Sequence, residues 1–245
     1  MRPLIPFARE RFKVIPVEND LVRPMIVENH YLHRWPANAQ NCFGVVHDDS
    51  RLVGALVFGG PVRRELSKSI SPLVKEQEVT ELLRVWIEDG RVEDGFGQNL
   101  ESFSIAQSFK ILQNTTPEKT VVVSYADPAA GHTGKIYQAL GGLYQVIPNT
   151  FKTFHVNLTD PNDQDGWIHS RTQQRRFGRH SIEELKFKIG KSFWIKRDCQ
   201  KYRYLWFLCH KTRKQQIVES LHYPQAPYPK KTVEAPAVQE ITITE

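Results

Sequence analysis

The stretch VTELLRVWIEDGRVEDGFGQNLESFSIAQSFKILQ, Val79 to Gln113, decides the fold. Its first nine residues are apolar and β-rich, with two charges, Glu81 and Arg84, set among them. They predict a strand. An acidic loop with Gly90, Gly95 and Gly97 follows, and then Leu100, Phe103, Ala106 and Phe109 or Ile111 recur at helical spacing. A charge inside an apolar strand is costly unless paired, so Glu81 and with it Arg84 are expected to face a polar cavity.

The neighbouring sequence extends this pattern. Before it, FKVIPV from Phe12 reads as a short strand, and Asp20 to Tyr31 as a helix holding Pro24 in its first turn. NCFGVVHDDSRLVGALVFGG gives two antiparallel strands split at His47-Asp48-Asp49-Ser50. After it, TVVVSYADP is a buried strand closed by Asp127-Pro128, and HTGKIYQALGG a short helix ended by Gly141-Gly142. LYQVI and FKTFHVN are expected to pair as a hairpin around Pro148-Asn149. DPNDQDG then reads as a linker, Ser181 to Glu184 as a capping box, KYRYLWFLCH as a strand, and the end from about Tyr223 as a docked proline-rich arm with a disordered tail.

A chain of 245 residues, 40% apolar, can bury a full core. The expected division is a core over 1–159, a basic and aromatic extension over 160–230, and a flexible tail over 231–245. No apolar run reaches 18 residues and the N-terminus has no signal-peptide pattern, which predicts a soluble chain without a membrane partner. Three cysteines without CxxC spacing exclude a disulfide framework and fit a reducing cytoplasm. Arg171 to Lys214 holds fourteen Arg or Lys against three acidic residues, a surplus of eleven in a protein of net charge +6, so the rest of the chain is net −5. That concentration points to a polyanion, with Arg171, Arg175, Arg176, Arg179, Lys196, Arg197, Lys201 and Arg203 as nucleic-acid contacts. The interleaved aromatics serve equally well as a small basic core or as stacking surfaces for bases.

The order of elements resembles the GCN5-related N-acyltransferase fold: an α+β (α/β) architecture with a mixed central sheet flanked by helices. That family's pyrophosphate loop is approximated by Val92-Glu-Asp-Gly95-Phe-Gly97, which makes Gly95 and Gly97 cofactor-binding candidates. Glu88, Asp89, Glu93 and Asp94 crowd it with negative charge. Tyr137, followed by Ala139-Leu-Gly-Gly142, stands where the family places the acid that protonates a leaving thiolate. ENHYLHRWP (Glu28 to Pro36), ELLRVWI (Glu81 to Ile87), SYADPAAGHTGKIYQALGG, KYRYLWFL and APYPKK together resemble the bacteriophage Mom family. The resemblance implies a phage enzyme of the host cytoplasm that transfers a carbamoylmethyl group to the N6 amine of adenine in DNA and protects that DNA from restriction.

That amine is a weak nucleophile buried in the duplex, so the base must be extruded and amine or donor activated. Asp127, at the end of a buried strand, is a candidate to accept the amine proton; as Asp-Pro it serves equally as a turn or helix cap. His30, Tyr31 and Glu81 complete the catalytic candidates with Tyr137. The family's link to iron makes His30, Tyr31 and Asp127 candidate ligands, since imidazole, phenolate and carboxylate suit that ion. Gly131 permits close approach of a substrate, and His132 can reach a donor phosphate or the DNA backbone. Acetyl-coenzyme A and a glycine-derived compound are both open as donor, and a homodimer is open too. Two alternatives stand beside this reading: a coenzyme A-dependent N-acetyltransferase acting on a protein or small amine, and a non-catalytic DNA-binding relative.

Overall fold

The computed structural model describes residues 6–48, 51–61, 63, 65–148, 154–163, 166–178, 181–197, 199–231 and 237–242, without the side chains of Ser170 and Arg171. The chain divides into two compact units, one of Met1–Ala126, Gly134–Val146 and Tyr202–Pro229, the other of Asp127–Thr133, Ile147–Lys201 and Lys230–Glu245.

The first unit is built on a seven-stranded sheet. β1 (Phe12–Val17), β2 (Ala39–His47), β3 (Arg51–Gly59) and β4 (Val79–Ile87) run antiparallel in chain order. Pro16 cannot donate to a ladder, and it lies on β1, the edge strand, where a missing donor costs least. β5 (Val121–Ala126) then joins β4 in parallel through α3 (Leu100–Thr115). β9 (Tyr202–Phe207) lies antiparallel between β5 and β6 (Leu143–Gln145).

Alternation along the strands sends side chains to two apolar layers. Leu56, Phe58, Leu82, Val122, Tyr204 and Trp206 pack with Leu100, Ile105, Phe109 and Leu112 of α3. The intervening Ala55 and Val57 pack with Val22 and Ile26 of α1 (Asn19–Asn29), a pair spaced i, i+4 on one helix face. Val79, Val121, Val123 and Leu205 meet Leu66 and Ile70 of α2 (Leu66–Ile70) and Ile217 of α7 (Lys211–Glu219). α4 (Lys135–Ala139) brings Ile136 and Tyr137 to the α3 side. The fold is therefore the expected mixed sheet flanked by helices.

The second unit has a three-stranded sheet in the order β10-β8-β7, formed by Val238–Ile241, Phe193–Arg197 and Phe154–Asn157. Its core joins Val156, Phe193, Ile195 and Ile241 to Leu185 of α6 (Ile182–Ile189), with Phe177 of α5 (Ser170–Phe177) packed against it. α6 starts at the expected capping box: Ser181 Oγ accepts the Glu184 N–H and Glu184 accepts the Ser181 N–H at 2.8 Å.

Four expectations need correction. Pro24 lies inside α1, beyond its first turn. Among the described residues LYQVI and FKTFHVN do not pair as a hairpin: β6 pairs with β9 and β7 with β8, because β9 supplies the partner that completes the first sheet, and Asn149 lies outside the described residues. The basic extension over 160–230 is not one body, since β9 and α7 belong to the first unit and α5, α6 and β8 to the second. The tail over 231–245 is not wholly flexible, because Val238–Ile241 pairs with β8 and buries Ile241 beside Phe193.

Candidate active site and basic surface

β4 and β5 are paired only where Val79–Glu81 faces Val121–Val123, although β4 continues to Ile87 and β5 to Ala126. A register shift between Val57 and Phe58 leaves Leu83 as an extra residue on β4 next to that point, and such a bulge bends its strand. The two strands therefore part beyond Glu81. Ser124 Oγ spans back to the Leu82 carbonyl at 2.9 Å.

Tyr137 reaches this opening from α4. Its ring packs 5.4 Å from Tyr204 and 5.5 Å from Trp206, and its hydroxyl is hydrogen-bonded to Ser124. Burial pushes the phenol pKa up, Ser124 and Arg84 pull it back, and Glu81 raises it further. The ring keeps some exposure while the hydroxyl is out of bulk water. Gly134, preceding α4, has φ +78°, and a Cβ there would stand 2.5 Å from the Tyr204 ring, so only glycine lets this turn seat the helix.

Arg84 is the electrostatic centre of the group. Burial lowers its pKa, while Tyr31, Glu81 and Tyr137 act to raise it and Arg34 to lower it. Its Nη1 donates to the Leu83 carbonyl at 2.6 Å and its Nε to the Arg34 carbonyl at 3.4 Å, which holds the guanidinium close to β4. Tyr31 is 44% exposed and stacks on buried His30 with ring centroids 4.4 Å apart. Tyr31, Glu81 and Tyr137 thus all act electrostatically on Arg84, and His30 packs against Tyr31. A buried neutral phenol beside a desolvated cation can donate a proton and stabilise developing negative charge.

Asp127, Gly131 and His132 belong to the second unit. Asp127 Oδ1 accepts the Ala129 N–H at 3.0 Å, Oδ2 lies 3.4 Å from Lys201 Nζ, and the main-chain carbonyl accepts the His132 N–H at 3.0 Å. The side chain does cap a short 3-10 turn. Gly131 has φ +78° with nothing near a would-be Cβ, and His132 is exposed.

The donors expected to hold iron do not fit it. His30 Nδ1 accepts the Leu32 N–H at 3.1 Å, so the neutral ring carries its proton on Nε2 and keeps no lone pair for a metal. Both Asp127 oxygens are engaged as described. Among the described residues no group of three His, Cys, Asp or Glu side chains is placed to hold an ion.

The glycine loop is closed on itself. The Asp94 and Phe96 N–H groups bond the Arg91 carbonyl, and the Gly95 N–H bonds that of Val92. Its outward carbonyls are taken as well: Ala8 N–H reaches Gly95 O at 2.8 Å, Arg11 reaches Glu93 O at 3.2 Å, and His47 Nε2 lies 2.7 Å from Asp94 O. Phe96, 4% exposed, pins the loop against Phe12 and His47. Gly95 and Gly97 were expected to cradle a pyrophosphate; the Asp94, Gly95 and Phe96 amides are already bonded within the loop and are not presented to an anion.

Of the expected nucleic-acid residues, Arg175 and Arg176 lie exposed on α5, and Arg197 and Lys201 are exposed at and beyond the end of β8. Lys196 Nζ sits 4.2 Å over the Trp167 ring. Arg179 and the Arg171 side chain lie outside the described residues. Arg203 departs from expectation. It is 1% exposed, with Nη1 donating to Ser69 Oγ at 2.8 Å and Nη2 to Ser69 O at 3.0 Å, so it ties β9 to α2 inside the first unit and meets no polyanion.

The profile of the Mom protein family matches residues 11–230. The chain belongs to the Mom protein family. "Methylcarbamoylase mom" of Escherichia phage Mu is 25% identical over 230 residues, covering 93% of this chain and 87% of that one. Similar solved structures include a spermidine N-acetyltransferase of Vibrio cholerae, 9% identical, TM-score 0.40, over 81% of this chain and 95% of that one. A GNAT family N-acetyltransferase (YhbS) of Escherichia coli in complex with CoA is 12% identical, TM-score 0.34, over 58% of this chain and 71% of that one.

In this Mom-family chain, sequence reasoning undervalued Arg84 and Ser124. Both carried a signal: a cation inside an apolar strand, and a hydroxyl inside a continuous apolar run. The proline-rich arm docks as expected: the Ala226 N–H bonds Tyr144 O at 2.9 Å, and Gln138 Nε2 donates to the Pro229 carbonyl at 3.5 Å.

Proposed function

We propose that this chain is a DNA-modifying transferase that places a carbamoylmethyl group on the N6 amine of adenine, with protection of the DNA from restriction as its consequence. Family membership and the methylcarbamoylase activity named for the phage Mu relative support the class of reaction. One observation carries the site assignment: Tyr137, Arg84, Glu81 and Tyr31 converge where β4 and β5 part.

In this reading the adenine N6 bonds to the transferred carbon as the donor's leaving group departs with its electron pair. Tyr137 protonates that group and Arg84 stabilises its developing charge. Glu81 receives the proton lost by the amine. Tyr31, the most exposed of the four, offers an aromatic face to the extruded base. Asp127, at the end of β5, is proposed as the alternative acceptor of that same amine proton. The Asp94, Gly95 and Phe96 amides are bonded within the glycine loop and are not offered to a coenzyme A pyrophosphate.

Expression in a bacterial host followed by mass spectrometry of the DNA nucleosides tests the proposal. The expected product is a deoxyadenosine heavier by one carbamoylmethyl group, absent with Tyr137→Phe. An unmodified nucleoside pool from well-folded wild-type protein would refute it. Tight acetyl-coenzyme A binding by calorimetry, without a modified nucleoside, would move the chain to the acetyltransferase alternative.

A further inference from the structure

The three-stranded sheet of the second unit has two chemically different faces. One is the apolar face of Val156, Phe193, Ile195 and Ile241. Residues directly opposite in register share a face, so the other is set by two rows. His155 faces Lys196, which faces Val238; Asn157 faces Trp194, which faces Glu240. Asn157 is fully buried, its Oδ1 accepting the Thr159 and Asp160 N–H groups, so the turn after β7 covers that corner. His155, Trp194, Lys196, Val238 and Glu240 all retain exposure, Val238 at 47%.

Two further rings extend this face from the segment before α5. Trp167 lies under the Lys196 ammonium, and His169 meets His155 edge-on with centroids 4.8 Å apart. The Trp167 main-chain neighbour Ile168 pairs with Val156 through two backbone hydrogen bonds of 3.1 and 2.7 Å, which fixes the segment to the sheet. Partly exposed tryptophans beside imidazoles and a lysine are poorly suited to a core and well suited to stacking.

We propose that this face binds a single strand of DNA, with bases stacked on Trp194 and Trp167 and the backbone phosphate on Lys196. Every base offers a π-face, so the platform is sequence-tolerant, and its lysine supplies the electrostatic part of the affinity. Glu240 repels phosphate at the β10 side, so the strand crosses on the β7–β8 side. The proposal takes DNA as the partner from the preceding section but is independent of the transfer chemistry.

The test titrates the full chain with a labelled oligothymidine strand and with a duplex of equal length. Expected are quenching of tryptophan fluorescence by the single strand, tighter binding of it than of the duplex, and roughly tenfold weaker binding with Trp194→Ala. Trp194→Phe should restore most of the affinity, and Lys196→Gln should lower the log–log salt slope by about 0.7. Wild-type affinity in both Trp194→Ala and Lys196→Gln, or equal binding of duplex without quenching, overturns the proposal. If thermal melting shows Trp194→Ala unfolded, Trp167→Phe and Lys196→Gln carry the same comparison. Intact single-strand binding by a chain that leaves no modified nucleoside would refute the transferase reading alone, and modification without single-strand binding would refute this one alone.

Discussion

Tyr137 is the residue on which the chemistry is most exposed to test, because one oxygen can be removed with little else changed. Tyr137→Phe keeps the contacts with Tyr204 and Trp206 and deletes only the hydroxyl bonded to Ser124. Its stability cost should be about 1 kcal/mol, while modification should fall by a factor of about 100 or more. Nucleoside mass spectrometry and a thermal melt on the same preparation separate the two effects. Tyr125 and Tyr204 add a pH consequence, since burial pushes both phenols up to about 12 from an ordinary 10.0. Below pH 10 folded and unfolded chains hold these protons alike, so the contribution is fully present. Between pH 10 and about 12 the unfolded chain sheds protons that the fold retains, and stability must fall as pH rises. Denaturant midpoints across that window, followed with tyrosinate absorbance, check the sign; midpoints that stay level would contradict it.

At the scale of elements, two local devices can be broken cleanly. Ser181→Ala removes the cap of α6 and should cost about 1 kcal/mol, read as a lower melting temperature. Gly95→Ala meets both φ +82° and the Ala8 Cβ at 2.9 Å, so the closed glycine loop should loosen at a cost of about 1–2 kcal/mol. Hydrogen exchange at the Ala8 amide, which bonds Gly95 O, would rise accordingly. These elements also show what the sequence made legible. The continuous apolar run in Val121–Ala126 and the alternation in Tyr202–Phe207 identified strands, and the spacing in Leu100–Thr115 identified a helix. Neither names a neighbour, which is why LYQVI and FKTFHVN read as a hairpin although β9 takes the partner position. The glycines of Val92–Gly97 read as an anion cradle for a similar reason: a motif records which backbone is possible, while the destination of its N–H groups depends on a closed turn and on Phe96. Arg203 was assigned to the surface from charge alone, and only its register opposite Tyr125 and its bonds to Ser69 place it inside.

For the whole molecule, charge is distributed differently from its appearance along the chain. Of the fourteen basic residues between Arg171 and Lys214, four (Arg203, Lys211, Arg213 and Lys214) fall in the first unit and ten in the second. DNA affinity should therefore depend on the second unit, and steeply on salt. Replacing Arg175 and Arg176 together by Ala should weaken binding to all sequences alike and reduce the duplex log–log salt slope by about 2. Binding isotherms over a salt series measure it; an unchanged slope would remove α5 from the interface.

The position of β9 also governs how the chain is made. β5 and β6 are synthesised some sixty residues or more before the strand that must lie between them, so an emerging polypeptide carries two unsatisfied strand edges until Tyr202–Phe207 leaves the ribosome. Such long-range closure slows folding and leaves Val121, Val123 and Leu143 open to wrong partners in the interval. A chain interrupted before Tyr202 should aggregate during synthesis, and a permuted chain that begins at β9 should escape that delay.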